Sequence, residues 1–249
     1  MIASIPSPPR RGGFTFKQFF VGHDRCGMKV STDGVLLGAW APLPTTRRVL
    51  DIGTGSGLLS LMLAQRLDAE QTPFFIDAID IDLAAVEQAR ENCAASPWQA
   101  HFTVWQQDIL AWNDLSLERY GLVICNPPYF QNGKSYRDAQ REKARDSSTL
   151  DHPALLKQVT TLLSEEGFFS VVLPIQEAEQ FTHYARTTGW ILSQQCDVSE
   201  RTDRPAKRRM MTWRRCPTQS GTEHLVIRDE QGQYSTDFQR LTKEFYLAF

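Results

Sequence analysis

The chain has 249 residues, 41% hydrophobic and 22% charged, the balance of an ordinary globular protein rather than a disordered or fibrous one. Its formal net charge of −2 gives no overall attraction to a polyanion, and no apolar run approaches the roughly 20 residues of a membrane span. Five scattered cysteines (Cys26, Cys93, Cys125, Cys196 and Cys216) fit neither a disulfide framework nor a CxxC zinc site, so no metal is expected and a cytoplasmic location is.

Residues 1–13, MIASIPSPPRRGG, lack the apolar stretch of a signal peptide and read as a flexible arm. GVLLGAW reads as a helix, with Ser31, Thr32 or Asp33 as its N-cap. RRVLDIG then reads as a buried strand and SGLLSLMLAQRL as a helix. FFIDAID, HFTVWQQD and GLVIC are further strands, the first two separated by the helix LAAVEQARENCAA. DHPALLKQVTTLLSEEG is expected to be a helix closed by Gly167, followed by the strand FFSVVLP and the helix QEAEQFTHYARTTG. These alternating units, with nearly continuous apolar strands, predict a parallel sheet covered on both faces. WILSQQCDV and KRRMMTWRR look like two more strands, EHLVIRD another, and STDFQRLTKEFYLAF a closing helix capped by Ser235 or Thr236. With no linker or internal repeat, residues 14–249 are read as one domain.

The first strand runs into Asp51-Ile52-Gly53-Thr54-Gly55-Ser56-Gly57, and a helix begins directly. Alternate glycines allow a tight bend and a close approach to the main chain, and the helix start offers unpaired N–H groups. Asp80 ends the second strand 23 residues after Gly57, where a carboxylate suits the two hydroxyls of a ribose. Asp82 reads as a helix N-cap or a helper. Asp108, at the end of the third strand, suits an exocyclic amine. The plain alternative for each acid is helix capping; together they converge on the edge of the sheet where doubly wound folds bind ligands. NAD and S-adenosylmethionine both carry an adenosine that would fit there.

The fourth strand breaks into Asn126-Pro127-Pro128-Tyr129. Prolines fix φ and donate no N–H, so the turn is stiff and rich in acceptors. A planar aromatic amine is a poor nucleophile with two good donor hydrogens. The Asn126 side-chain oxygen and the Pro127 carbonyl can each accept one of them, while Tyr129 stacks on the base for ~1–3 kcal/mol. Catalysis then consists of alignment and of dipoles aimed at charge developing on nitrogen.

DIGTGSG, AIDID, QQD and NPPY in this order resemble a class I S-adenosylmethionine-dependent methyltransferase with an amine-methylating motif. FKQFFVGHDRCGMKVSTDGVLLGAW, KRRMMTWRR and LTKEFYLAF resemble segments of bacterial tRNA(Val) adenine-N6 methyltransferases, so the similarity runs from about Phe14 to the end. The chain departs from that pattern at Gly27 and Ser31, both small. The resemblance implies a Rossmann-like, seven-stranded, mostly parallel α/β sheet with a C-terminal strand-helix addition. It divides the domain into a cofactor-covering segment at 14–46, a core at 47–216 and an extension at 217–249. It implies S-adenosylmethionine held by Gln18, Lys29, Val30, Ser31, Thr32, Asp51, Gly53, Thr54, Gly55, Gly57, Asp80, Ile81, Asp108, Ile109 and Asn126. Asn126, Pro127 and Tyr129 become the catalytic residues, and the substrate an adenosine beside the anticodon.

From Arg201 to Arg215 there are seven basic residues and one acid, and from Lys134 to Arg145 five basic residues and two acids. Arg201, Arg204, Lys207, Arg208, Arg209, Lys134, Arg137 and Arg141 are therefore candidate phosphate contacts; the plain reading is a solvated surface. The expected assembly is a monomer or weak dimer without a membrane. NPPY alone also suits a DNA-adenine, rRNA or protein-glutamine methyltransferase, and the glycine turn alone an NAD-linked oxidoreductase or a cofactor-binding module.

Overall fold

The computed structural model describes residues 12–27, 29–112, 118–127 and 151–249. Tyr129, Lys134, Arg137, Arg141 and most of the N-terminal arm lie outside these residues.

The chain opens with a small antiparallel hairpin, β1 (Gly13–Thr15) and β2 (Phe20–Gly22). Its strands are too short for periodicity to reveal; burial of Phe16, Phe19 and Val21 holds them in place. Helix α1 (Thr32–Trp40) follows, with Ser31 as N-cap: its hydroxyl accepts from the Gly34 N–H at 3.1 Å.

The main sheet contains β3 (Arg48–Ile52), β4 (Phe75–Asp80), β5 (Phe102–Gln106), β6 (Tyr120–Cys125), β7 (Leu163–Pro174), β8 (Ile191–Arg201), β9 (Arg208–Arg214) and β10 (Gly221–Arg228). Their order is β10-β8-β9-β7-β6-β3-β4-β5. All neighbours are parallel except β9, which runs antiparallel to β7 and β8. Strands β3 to β9 are the seven expected from sequence, and β10 adds an eighth at the edge. The sheet is the α/β, Rossmann-like arrangement that the alternating pattern predicts.

Alternation along each strand sends side chains into two separate cores. Val49, Ile76, Ala78, Leu122 and Ile124 pack with α1, α2 (Leu58–Ala69), α3 (Leu83–Ala94) and Phe238 of the C-terminal helix. Leu50, Ile52, Val123, Cys125 and Val171 pack on the opposite face with α4 (His152–Leu162) and α5 (Ile175–Thr187). The helix expected to reach Gly167 ends at Leu162. Leu163 takes an extended conformation and pairs with Tyr120, so Ser164 to Gly167 belong to β7. The closing helix, α6 (Thr236–Thr242), is also shorter than its sequence pattern, and the aromatics after it pack as a tail.

The start of β6 leaves no room for a side chain. A Cβ at Gly121 would lie 2.2 Å from the Thr46 carbonyl oxygen and 2.7 Å from Pro44 Cβ. Gly121→Ala must push backbone aside. Its expected cost is about 3 kcal/mol, seen in thermal melts as a Tm lowered by roughly 5–10 °C.

Candidate active site at the carboxyl edge of the sheet

Four adjacent parallel strands, β5, β4, β3 and β6, end on one edge. The loop after β3 carries three glycines with positive φ: Gly53 at 67°, Gly55 at 54° and Gly57 at 79°. These values favour glycine, and they turn the chain from β3 into α2 within five residues. The N–H groups of Gly53 and Thr54 donate to the Ile79 carbonyl at 2.9 and 3.0 Å, tying the loop to the end of β4. The Asp80 carboxylate completes the tie. One oxygen accepts from the Gly55 N–H at 2.9 Å, and the other from the Asp82 N–H at 3.0 Å. Asp82 is itself the N-cap of α3, accepting from the Ala84 N–H at 3.0 Å.

Asp51 is placed differently from a surface ligand. Alternation along β3 points it to the α2 side, where it is fully buried. Its Oδ2 accepts from the Thr54 hydroxyl at 2.7 Å, the Ser60 hydroxyl at 2.7 Å and the Ser60 N–H at 3.2 Å. Its Oδ1 is buried without a hydrogen-bond partner among the described residues. Burial pushes its pKa up to about 6; the Thr54 and Ser60 hydrogen bonds oppose this, and the Asp80 charge adds to it. A cationic ligand group beside this carboxyl would favour its ionised form.

The outer face of the loop is open. A Cβ built on Gly53 or Gly55 would meet nothing within 4 Å. Beside it, Ile81 is 55% exposed, an apolar surface directly after Asp80. Asp108 caps a short 3-10 turn (Ile109–Ala111), accepting from the Leu110 N–H at 2.9 Å, while Ile109 is buried beneath. Plain capping therefore holds for Asp108, whereas Asp80 ties the glycine loop to the start of α3, whose cap is Asp82. A carboxylate has more acceptor sites than these N–H groups fill. An acid for the ribose, an exposed apolar face for a base, a second acid for its amine and a cradle of open glycines fit an adenosine-bearing cofactor.

On the other flank, Asn126 leaves the end of β6 half-buried, followed by buried Pro127. The first turn of α1 packs against it. A Cβ at Gly34 would lie 2.9 Å from Leu58 Cδ2, 3.3 Å from Ser31 Oγ and 3.4 Å from Asn126 Nδ2. Ser31 and Asn126 thus meet across Gly34, whereas Gln18, Lys29 and Thr32 are exposed, and Val30 donates its N–H to His23 Nδ1 at 3.3 Å.

Asn92, which no sequence motif marks, and Cys26, known from the sequence only as one of five scattered cysteines, complete the enclosure. Buried Asn92 accepts from the Gly22 N–H at 2.9 Å and donates to the carbonyls of Gly22 and Ser56, each at 2.8 Å. It bonds the hairpin to the glycine loop; an asparagine inside an amphipathic helix carries no motif that would announce this. Cys26 sits close enough to Asp80, Asp82 and Asp24 that their charges add to burial in pushing its thiol up to about 11. Among the described residues no group of three or more His, Cys, Asp or Glu is placed to hold a metal, and no described helix is long and apolar enough to cross a membrane.

The geometry is matched by comparison with known proteins. The model of the methyltransferase small domain family matches residues 33–173. A tRNA1(Val) (adenine(37)-N6)-methyltransferase of Pectobacterium carotovorum subsp. carotovorum is 52% identical over 238 residues, covering 96% of this chain and 95% of its own. The chain belongs to the tRNA1(Val) (adenine(37)-N6)-methyltransferase family. Solved structures agree on the fold of this methyltransferase. A predicted O-methyltransferase from Agrobacterium tumefaciens superposes with a TM-score of 0.64 at 15% identity, covering 86% of this chain and 96% of its own. A glycopeptide N-methyltransferase complexed with S-adenosyl-L-methionine gives 0.53 at 13% identity, covering 74% and 87%.

The basic residues of this methyltransferase divide into two kinds. Arg209 is held by Asp197 in a two-armed pair at 2.5 and 2.8 Å, and Arg208 pairs with Asp33 at 2.9 Å. Arg201 and Arg204 share Asp203 at 3.5 and 3.8 Å and are largely exposed, as is Lys207. Register brings Arg208 level with Pro174 and Val198, so the loop from Arg201 to Lys207 lies on the same edge of the sheet as Asn126. Two to three strand spacings separate them, ~10–15 Å.

The carboxyl of Asp51 has a folded-state pKa above the ordinary value, so its contribution to stability is greatest when it is protonated. That contribution is lost as pH rises from about 4 through about 6. Asp51→Asn removes the titration. Across that pH range the variant should gain about 2–3 kcal/mol relative to the parent chain, measured as denaturant unfolding at each pH; parallel pH profiles would mean that Asp51 does not titrate there.

Proposed function

We propose that this chain transfers a methyl group from S-adenosylmethionine to N6 of an adenosine in a valine tRNA, the position given in the name of its 52%-identical relative. The observation that carries the reading is the meeting of two half-sites on one edge. The glycine cradle with Asp80 and Asp108 lies on one flank, and Asn126-Pro127 at the end of β6 on the other.

The groups that would hold the cofactor are Asp80 on the ribose hydroxyls, Ile81 against the adenine and Asp108 on its amine. The open backbone face of Gly53 and Gly55, with the Asp51 carboxyl beneath it, would lie against the methionine part. Gln18 and Lys29 to Thr32 would cover it from above. When bound, this cofactor supplies an electrophilic methyl on a cationic sulfur.

The protein's own contribution is orientation. The side-chain oxygen of Asn126 and the carbonyl of Pro127 accept the two hydrogens of the target amine and fix the direction of its lone pair. The acceptor dipoles favour the positive charge that develops on nitrogen during attack. Asn126 turns its amide nitrogen toward Gly34, which puts the acceptor oxygen on the other arm of the carboxamide. Pro127 is buried at the strand end and keeps this turn from yielding. Tyr129 would stack on the everted base. The nitrogen proton becomes acidic only as the new bond forms, so it passes to water without a general base.

The exposed Arg201, Arg204 and Lys207 are the part of the basic cluster best suited to phosphates, since Arg208 and Arg209 are occupied by carboxylates. A recess lined by Arg201, Thr202, Asp203 and Glu230 accompanies them.

Asn126→Ala should lower single-turnover transfer at least about 100-fold, with cofactor affinity by calorimetry unchanged within roughly threefold. Mass spectrometry of nucleosides from treated tRNA reads the product; undiminished N6-methyladenosine would remove Asn126 from the mechanism. Replacing Arg201, Arg204 and Lys207 together by glutamine should reduce the salt slope of tRNA binding by about 2–3, near 0.7–0.9 per lost phosphate contact. An unchanged slope would place the RNA elsewhere.

A further inference from the structure

We infer that Arg208 is a positioning residue for methyl transfer, acting through its ion pair with Asp33, rather than a phosphate contact. Alternation along β9 turns Arg208 to the face that carries α1, as its buried neighbour Met210 shows by packing in the same core. Its Nε then lies 2.9 Å from Asp33 Oδ2 across a separation of 175 residues. Both side chains are three-quarters or more shielded, at 25% and 21% exposure. The Arg208 charge is also felt by Glu177, in the first turn of α5: burial raises its pKa and the Arg208 charge opposes that. A phosphate approaching Arg208 would have to displace the Asp33 carboxylate.

The pair fastens a point that matters to the site. Asp33 immediately precedes Gly34, where an added methyl group would press on Leu58 and Ser31 and just touch Asn126. The first turn of α1 therefore lies beside the Asn126 side chain, so that displacement of Asp33 moves a wall of the space around that amide. Arg208 reaches Asp33 from the end of the basic loop, and Lys207 beside it accepts from the Ile175 N–H at 3.3 Å at the head of α5. The start of β9 is thereby anchored on the sheet side, and it can hold α1 in register. The inference rests on Asn126 as the acceptor of the target amine.

The test is steady-state kinetics on tRNA transcript with Asp33→Asn, Arg208→Gln and the double variant, alongside Asp33→Glu and Asn126→Ala. Each neutral single variant should lower kcat about tenfold, keep KM for tRNA and its salt dependence, and gain no further loss when combined, because both remove the same contact. Asp33→Glu should restore most of kcat. A raised, salt-sensitive KM for tRNA in Arg208→Gln, absent in Asp33→Asn, would overturn the inference in favour of a phosphate contact. Unchanged kcat with only a lowered Tm would reduce the pair to a structural tie. A fully active Asn126→Ala would instead discard the underlying reading of the site.

Discussion

The site depends on one carboxylate. Asp80 accepts from the Gly55 N–H with one oxygen and from the Asp82 N–H with the other, so it fixes the glycine loop and the start of α3 together. The parallel register makes this possible: Ile52 pairs with Ile79, so the loop leaves β3 level with the end of β4, and two N–H groups fasten onto the Ile79 carbonyl. Without that tie, three glycines in left-handed conformations would form a loose bend rather than a cradle. With it, the open outer face of Gly53 and Gly55 is held toward the ligand side, beside exposed Ile81.

Around this tie the chain builds walls from distant segments. Asn92 on α3 bonds the hairpin to Ser56, and the first turn of α1 at Gly34 lies beside Asn126. The C-terminal tail supports the same side: the Lys17 N–H donates to the Phe245 carbonyl at 2.8 Å, and Gln65 of α2 donates to the Glu244 carbonyl at 2.8 Å. Phe14, Phe16, Tyr234, Phe238 and Tyr246 fill the space between. A pocket of this kind shares its cover with the fold's own core, so changes far from the edge can alter it.

The order of strands and helices from α1 onward was readable from the sequence because apolar runs alternate there with helical periods. The buried runs from Val49 to Ile52, apolar but for Asp51, and from Tyr120 to Cys125 cover both faces of parallel strands. The glycine loop and Asp80 were readable for a related reason, since few residue types tolerate their backbone or supply their acceptors. Contacts between segments far apart in the chain were not. Nothing local to Asn92 marks it as a bridge, and Arg208 looks the same in sequence as exposed Arg204, although one faces Asp33 across the sheet and the other faces water. The extent of β7 was hidden too, because Ser164 to Gly167 bulge out between the pairs that Leu163 and Phe168 make with β6, and no local pattern announces that. Charge density identified the right loop but could not separate cations held by carboxylates from those facing outward.

The most direct measurement is a crystal structure of the chain with S-adenosylhomocysteine and an adenosine-containing anticodon stem-loop. The expected result has the ribose on Asp80 and the adenine N6 within about 3–3.5 Å of the Asn126 side-chain oxygen, with the cofactor sulfur on the far side of that nitrogen. An adenosine bound away from the end of β6, or Asn126 folded beneath α1 out of reach of any base, would contradict it.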